Sequence, residues 1–76
     1  MVKFIDYWMF ATHLWVDAPA TPTVISLREI MHIDELCDKE LGTHVAVYLK
    51  DKSTIPIEGN IIDVLATFQK HLQTMY

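Results

Sequence analysis

The sequence predicts a small two-layer α+β domain, in which one C-terminal helix packs on an antiparallel sheet of three to four strands. Three observations predict this class. Residues 44–50 alternate between apolar and other side chains, a second short strand follows a polar turn, and residues after 60 show helical apolar spacing. A chain of 76 residues allows one domain, so we assign residues 1–76 to a single domain.

The segment from residue 44 to residue 58 has the pattern of a β-hairpin. Residues 44–50 alternate like a half-buried strand, residues 51–53 form a tight polar turn, and residues 54–58 return as a second strand. The side chains predicted to face the core are Val45, Val47, Leu49, Ile55 and Ile57. Because Pro56 has no N–H to donate to a neighbouring strand, we expect the second strand at an edge of the sheet.

The C-terminal segment predicts an amphipathic helix. Asn60 is a favoured N-cap residue, and Asp63 in the first turn suits the positive end of the helix dipole. The predicted apolar stripe consists of Ile61, Leu65, Phe68 and Leu72, flanked by Ile62 and Val64.

The aromatic N-terminal segment, residues 1–16, fits two interpretations. Its aromatic and β-branched residues favour strands, whereas several of its apolar residues also share one helical face. We prefer two strands, at about residues 2–8 and 13–16. Residues 17–23 (DAPATPT) then read as a loop, because Pro19 and Pro22 restrict the chain.

Residues 26–41 are also ambiguous. Ser26 and Glu29 have the spacing of a capping box, and Gly42 could end a helix. The alternative takes residues 26–29 as a single turn, residues 30–36 as a strand and residues 37–43 as a connection. We prefer this alternative because of a family resemblance.

The order of elements resembles that of the FlbD-type flagellar accessory proteins. The matching segments are LREIMHID at 27–34, VAVYLKD at 45–51, STIPIE at 53–58 and DVL at 63–65. The resemblance covers about residues 15–72 and implies a strand over residues 30–36 and an accessory role. The chain departs from the family pattern at its hairpin turn, which lacks glycine, and in its aromatic start.

The composition predicts that apolar side chains reach the surface. Apolar residues make up 51% of the chain, yet a domain this small buries only roughly 60% of its unfolded surface. An internal disulfide is excluded because Cys37 is the only cysteine, which also favours a reducing, cytoplasmic setting. We therefore expect a homo-oligomer, and the interface candidates are Trp8, Phe10, Trp15, Val16 and Tyr48.

Charge and motif content argue against several functions. The net charge is −4 and the basic residues are scattered, which makes nucleic-acid binding an unfavoured class. The four histidines lie in different predicted elements, so we expect no metal site and no cofactor. The thiol of Cys37 adjoins Asp38, which does not favour a reactive thiolate, and we expect no enzymatic activity. The apolar start of the chain is too short and too charged to span a membrane.

These observations favour a non-catalytic interaction or regulatory protein that homo-oligomerises and binds another macromolecule, most simply another protein, to modulate it. Small phage-encoded and bacterial proteins act both in this way and as ligand-binding oligomers. The alternative is an oligomer that holds a small anionic ligand, such as a nucleotide, at a subunit interface or at the helix N-terminus formed by Asn60, Ile61 and Ile62. A DNA-binding regulator is a weaker alternative.

Overall fold

A computed structural model describes residues 2–75, so Met1 of the predicted first segment lies outside the described residues. The two-layer α+β class is confirmed, but the sheet has six strands rather than three to four. The elements are β1 (Lys3–Ile5), β2 (Trp8–His13), β3 (Thr21–Ser26), a 3-10 turn (Leu27–Glu29), β4 (Ile30–Asp38), β5 (Gly42–Leu49), β6 (Thr54–Ile57) and α1 (Ile61–Thr74).

All neighbouring strands of the sheet are antiparallel. Strand β3 pairs with the whole length of β2, so β1 and β6 share the opposite side of β2. Strand β5 continues the sheet from β6, and β4 follows β5. Strands β1, β3 and β4 each pair with a single neighbour within the described part of the chain, and β1 and β3 do so on opposite sides of β2.

The N-terminal segment consists of strands, as preferred, but its predicted bounds were wrong. The first strand ends at Ile5, and β2 begins at Trp8 and fills the predicted gap before His13. The reversal occurs at Asp6, whose φ of 51° lies in the left-handed region that Asp tolerates better than most residues. The helical alternative for this segment is wrong.

The predicted loop over residues 17–23 is only partly a loop. Strand β3 begins at Thr21 and contains Pro22. Proline is tolerated there because β3 is an outer strand and the nitrogen of Pro22 points away from β2, where no donor is needed.

The strand interpretation of residues 26–41 is confirmed, with a longer strand and a shorter connection than predicted. The Ser26 side chain caps the 3-10 turn, and β4 runs from Ile30 to Asp38. The connection shortens because the Asp38 carboxylate accepts the backbone N–H groups of Glu40 and Leu41, which closes a tight turn.

The hairpin of β5 and β6 is confirmed, but the expected edge position of the second strand was wrong. Strand β6 lies between β5 and β2, and the N–H of Leu14 donates to the carbonyl of Pro56 at 2.9 Å. The nitrogen of Pro56 also points towards β2. Because proline has no N–H, it needs no acceptor there, and its position opposite Leu14 lies just past the end of β2 at His13.

The C-terminal helix and its cap are confirmed. The side-chain oxygen of Asn60 accepts the N–H of Asp63 at 2.9 Å, and the Asn60 amide donates to the Asp63 carboxylate at 2.7 Å. The helix buries a narrower stripe than predicted: Val64 is its buried residue, whereas Leu65 is half exposed.

The core lies between α1 and one face of the sheet, which we call the helix-side face. Cross-strand partners share a face, so the register places the inward side chains together. The apolar residues of this core are Val2, Met9, Ala11, Ile25, Val45, Val47, Ile57 and Val64. Ala46 is also buried but lies on the opposite face. The opposite face of the sheet, the open face, has no helix packed on it within residues 2–75.

Candidate interaction surface

Four apolar side chains form a contiguous group on the open face of β1, β2 and β3. The register pairs Ile5 with Trp8 and Phe10 with Val24, and alternation puts all four on the same face. Their exposed fractions are 45% for Ile5, 49% for Trp8, 37% for Phe10 and 52% for Val24. We call this group the apolar patch.

The size of the apolar patch sets what it can do. Large apolar and aromatic side chains present roughly 150–250 Å² each, so the exposed part of the patch amounts to about 350 Å². Single exposed apolar residues are ordinary, and a patch of this size lies within the range of roughly 300–600 Å² that the largest patch of a typical monomer covers, which is often a functional surface.

The structure separates the five predicted interface residues. Trp8 and Phe10 lie in the apolar patch, whereas Tyr48 lies further along the open face. The ring of Tyr48 stacks on His32, with ring centroids 4.3 Å apart. The sequence did not indicate Ile5 or Val24 as interface residues. Val24 directly follows a segment that was interpreted as a loop.

Trp15 and Val16 are exposed but do not join the apolar patch. The indole of Trp15 stacks on His13 at 3.9 Å and donates to the Thr21 hydroxyl at 2.8 Å. Since the side chain of His13 shares the helix-side face with Ile57, Trp15 belongs to that side of the sheet.

The helix N-terminus was predicted as an anion site through Asn60, Ile61 and Ile62. The N–H of Ile61 donates to the Glu35 carboxylate at 3.1 Å, and the Asn60 side chain occupies the N–H of Asp63. An anionic ligand would have to displace Glu35 and approach a second carboxylate, that of Asp63. The anion site remains a prediction, and this geometry does not favour it.

The histidines have structural contacts. His71 lies 2.7 Å from the carbonyl of Asp6 and stacks on Phe4, which connects the end of α1 to the β1–β2 turn. His44 is buried, with its Nδ1 2.9 Å from the carbonyl of Gly42.

The residues that could begin a metal site are not brought together. His32 lies 3.5 Å from Asp34 on the open face, but alternation along β4 puts Cys37 on the other face. The thiol of Cys37 is exposed. Among residues 2–75, no three potential ligands lie close enough to hold a metal ion.

A shifted pKa occurs in the β5–β6 turn. The hydroxyl and the backbone N–H of Ser53 donate to the Asp51 carboxylate, and these hydrogen bonds hold the pKa of Asp51 below its ordinary value of 3.8. Because this carboxylate is fully exposed, we assign it a role in the turn rather than in binding.

A second apolar feature is a groove of about 250 Å³ between α1 and the sheet. Phe4, Leu27 and Ile33 line it from the sheet side, and Leu65 and Phe68 line it from the helix. The groove exists because the helix buries only a narrow stripe.

Comparison of the chain with protein-family models, with curated proteins and with solved structures finds no match. Within residues 2–75, no helix has the length and apolar character needed to cross a membrane.

Proposed function

We propose that this chain is a non-catalytic interaction protein that homo-oligomerises and binds another macromolecule, most simply another protein, to modulate its activity. The apolar patch is the observation that carries the proposal. It places Trp8 and Phe10 beside each other on a sheet face that no helix covers in the described part of the chain. Aromatic residues at the centre of a contact supply much of its binding energy.

The magnitudes support association. At about 25 cal/mol per Å², covering the exposed part of the patch gives an upper limit of about 9 kcal/mol per copy. Association of two proteins costs roughly 4–15 kcal/mol in lost freedom of motion. The apolar patch is therefore large enough to contribute substantially to an interface, and hydrogen bonds or further contacts would have to complete it.

The proposed lack of catalysis is supported by how the histidines are used. The imidazoles of His13, His44 and His71 stack on aromatic rings or lie within hydrogen-bond distance of backbone carbonyls. That of His32 stacks on Tyr48 and lies 3.5 Å from the Asp34 carboxylate. These contacts account for the side chains that most often act as a general acid or base. The resemblance to FlbD-type accessory proteins agrees with a modulating role, which remains a prediction.

Size-exclusion chromatography with light scattering tests the proposal. The wild-type chain should give a mass that is a multiple of 8.8 kDa and falls on dilution. A double variant, Trp8→Ser with Phe10→Ser, tests whether the apolar patch is itself the contact between copies, because the mass should then shift towards the monomer. The matched control is Ile62→Ser, which removes a 76% exposed apolar side chain from α1 and should leave the mass unchanged.

Two outcomes would revise the proposal. A wild-type chain that stays at 8.8 kDa at the highest attainable concentration would refute homo-oligomerisation. An oligomer that tolerates the double variant would show that the apolar patch is not the contact.

A further inference from the structure

Strand β3 presents free backbone groups at the end of the sheet. The backbone N–H of Leu14 donates to the carbonyl of Pro56, and the carbonyl of Thr12 accepts the N–H of Glu58. The backbone N–H and C=O groups of the even-numbered residues of β2 therefore point towards β6. The backbone groups of the odd-numbered residues of β2 consequently form hydrogen bonds with β3, where Ala11 pairs with Thr23.

By the same alternation, the backbone groups of Pro22, Val24 and Ser26 point away from the sheet. Pro22 has no N–H, but its carbonyl can still accept. Val24 offers both a donor and an acceptor at the middle of the free edge.

Of the strands with an unpaired edge, β1 is only three residues long, and β3 and β4 differ in how well they are protected against pairing. Strand β4 has an irregular register between Ile30 and His32 and carries Asp34, Glu35 and Asp38. Bulges and charges are the usual devices that prevent edge-to-edge association. Strand β3 (TPTVIS) has no charged residue and has high β propensity, with Pro22 as its single protective feature.

We propose that β3 pairs with β3 of a second copy, antiparallel and about a two-fold axis at Val24. This inference rests on the homo-oligomer proposed above and places its contact at the β3 edge rather than in the apolar patch, so under it the double variant Trp8→Ser with Phe10→Ser stays dimeric. In this register the two Val24 residues exchange a pair of N–H···O bonds, and each Ser26 N–H donates to the carbonyl of Pro22 in the other copy. The pairing uses the carbonyl of Pro22, whereas the ring of Pro22 faces the Ser26 carbonyl of the other copy, so each end of the ladder makes one hydrogen bond instead of two.

The free edge and the apolar patch share Val24, which gives the pairing a functional consequence. A patch of about 350 Å² is less than half of the roughly 800 Å² per partner that a standard interface buries. Pairing through β3 sets two patches side by side across the axis and makes one surface of about 700 Å². The surface for a further macromolecule is then complete only in the dimer.

Amide hydrogen exchange distinguishes this pairing from any other self-association. The N–H groups of Val24 and Ser26 should exchange at least about tenfold more slowly at high than at low protein concentration. The N–H of Glu35 is the internal control, because it points outwards from β4 and should show no such change.

Three results are informative. Slowed exchange at Val24 and Ser26 alone supports the inference. An oligomer in which neither amide is protected overturns it and leaves the proposed homo-oligomer intact. A chain that is monomeric at every concentration overturns both.

Charge substitution at the axis provides an independent test. Val24→Lys and Val24→Glu should each be monomeric, because like charges would face each other directly across the axis. An equimolar mixture of the two variants should dimerise again. The matched pair Ile62→Lys and Ile62→Glu should behave like the wild type, and circular dichroism checks that all variants fold. A Val24→Lys variant that still forms the wild-type dimer overturns the inference.

Discussion

Replacing Val64 with alanine should destabilise the protein more than replacing its larger neighbour Leu65. Val64 is 3% exposed in the core between α1 and the sheet, whereas Leu65 is 50% exposed. Deleting the two methyl groups of Val64 removes about 1.6 kcal/mol of transfer free energy and leaves a cavity, for a total of about 2–3 kcal/mol. Leu65→Ala removes a side chain that is only half buried, so the free energy of unfolding should fall by about 1 kcal/mol.

Urea unfolding followed by circular dichroism measures both variants. For a domain of this size the total stability is about 4–11 kcal/mol, so a loss of 2–3 kcal/mol lowers the midpoint clearly. The measurement should be made at a concentration at which the chain is monomeric. A Leu65→Ala variant that loses more stability than Val64→Ala would refute the reasoning and would favour the helix orientation predicted from the sequence.

Three further predictions concern local contacts. Asn60→Ala removes the helix cap and should lower the free energy of unfolding by about 1 kcal/mol in urea titrations, and an unchanged midpoint would contradict this. His71→Ala removes the contact with the Asp6 carbonyl and should by itself lower the free energy of unfolding by about 1 kcal/mol, again measured by urea titration. Asp51→Asn should lower the melting temperature near neutral pH but not in acid. Because the folded pKa of Asp51 is depressed, the carboxylate stabilises the protein above its ordinary value of 3.8, and this is lost as pH falls through the folded value. A difference that persists in acid would argue against this pKa shift.

The sequence predicts the C-terminal half of the fold well because its signals are local. The alternation in β5, the polar turn at residues 51–53 and the cap at Asn60 each involve residues close together in the chain. The strand over β4 is also correct, and there the tertiary pairing with β5 overrides a plausible capping box at Ser26.

The N-terminal half is harder to predict because its strands depend on distant partners. Strand β3 contains Pro22 and follows Pro19, a composition typical of loops, and its pairing with β2 is what makes it a strand. The position of β6 inside the sheet depends on a contact between Pro56 and Leu14, which no local pattern reveals. Composition alone indicated Trp8 and Phe10 for the interaction surface, whereas Val24 required knowledge of the register.

The distribution of residues over the open face separates the needs of the fold from those of function. An antiparallel sheet with one covered face is stable when its other face is polar. In the half formed by β4, β5 and β6, the open face exposes His32, Asp34 and Thr54. Its Ala46 is buried and its Pro56 and Tyr48 are half-buried, whereas Leu36, near the end of its strand, is exposed. The β1–β3 half instead carries the apolar patch. Since the core on the helix-side face does not include those side chains, stability does not account for them, and this asymmetry within a single face is why we assign the contact to that half.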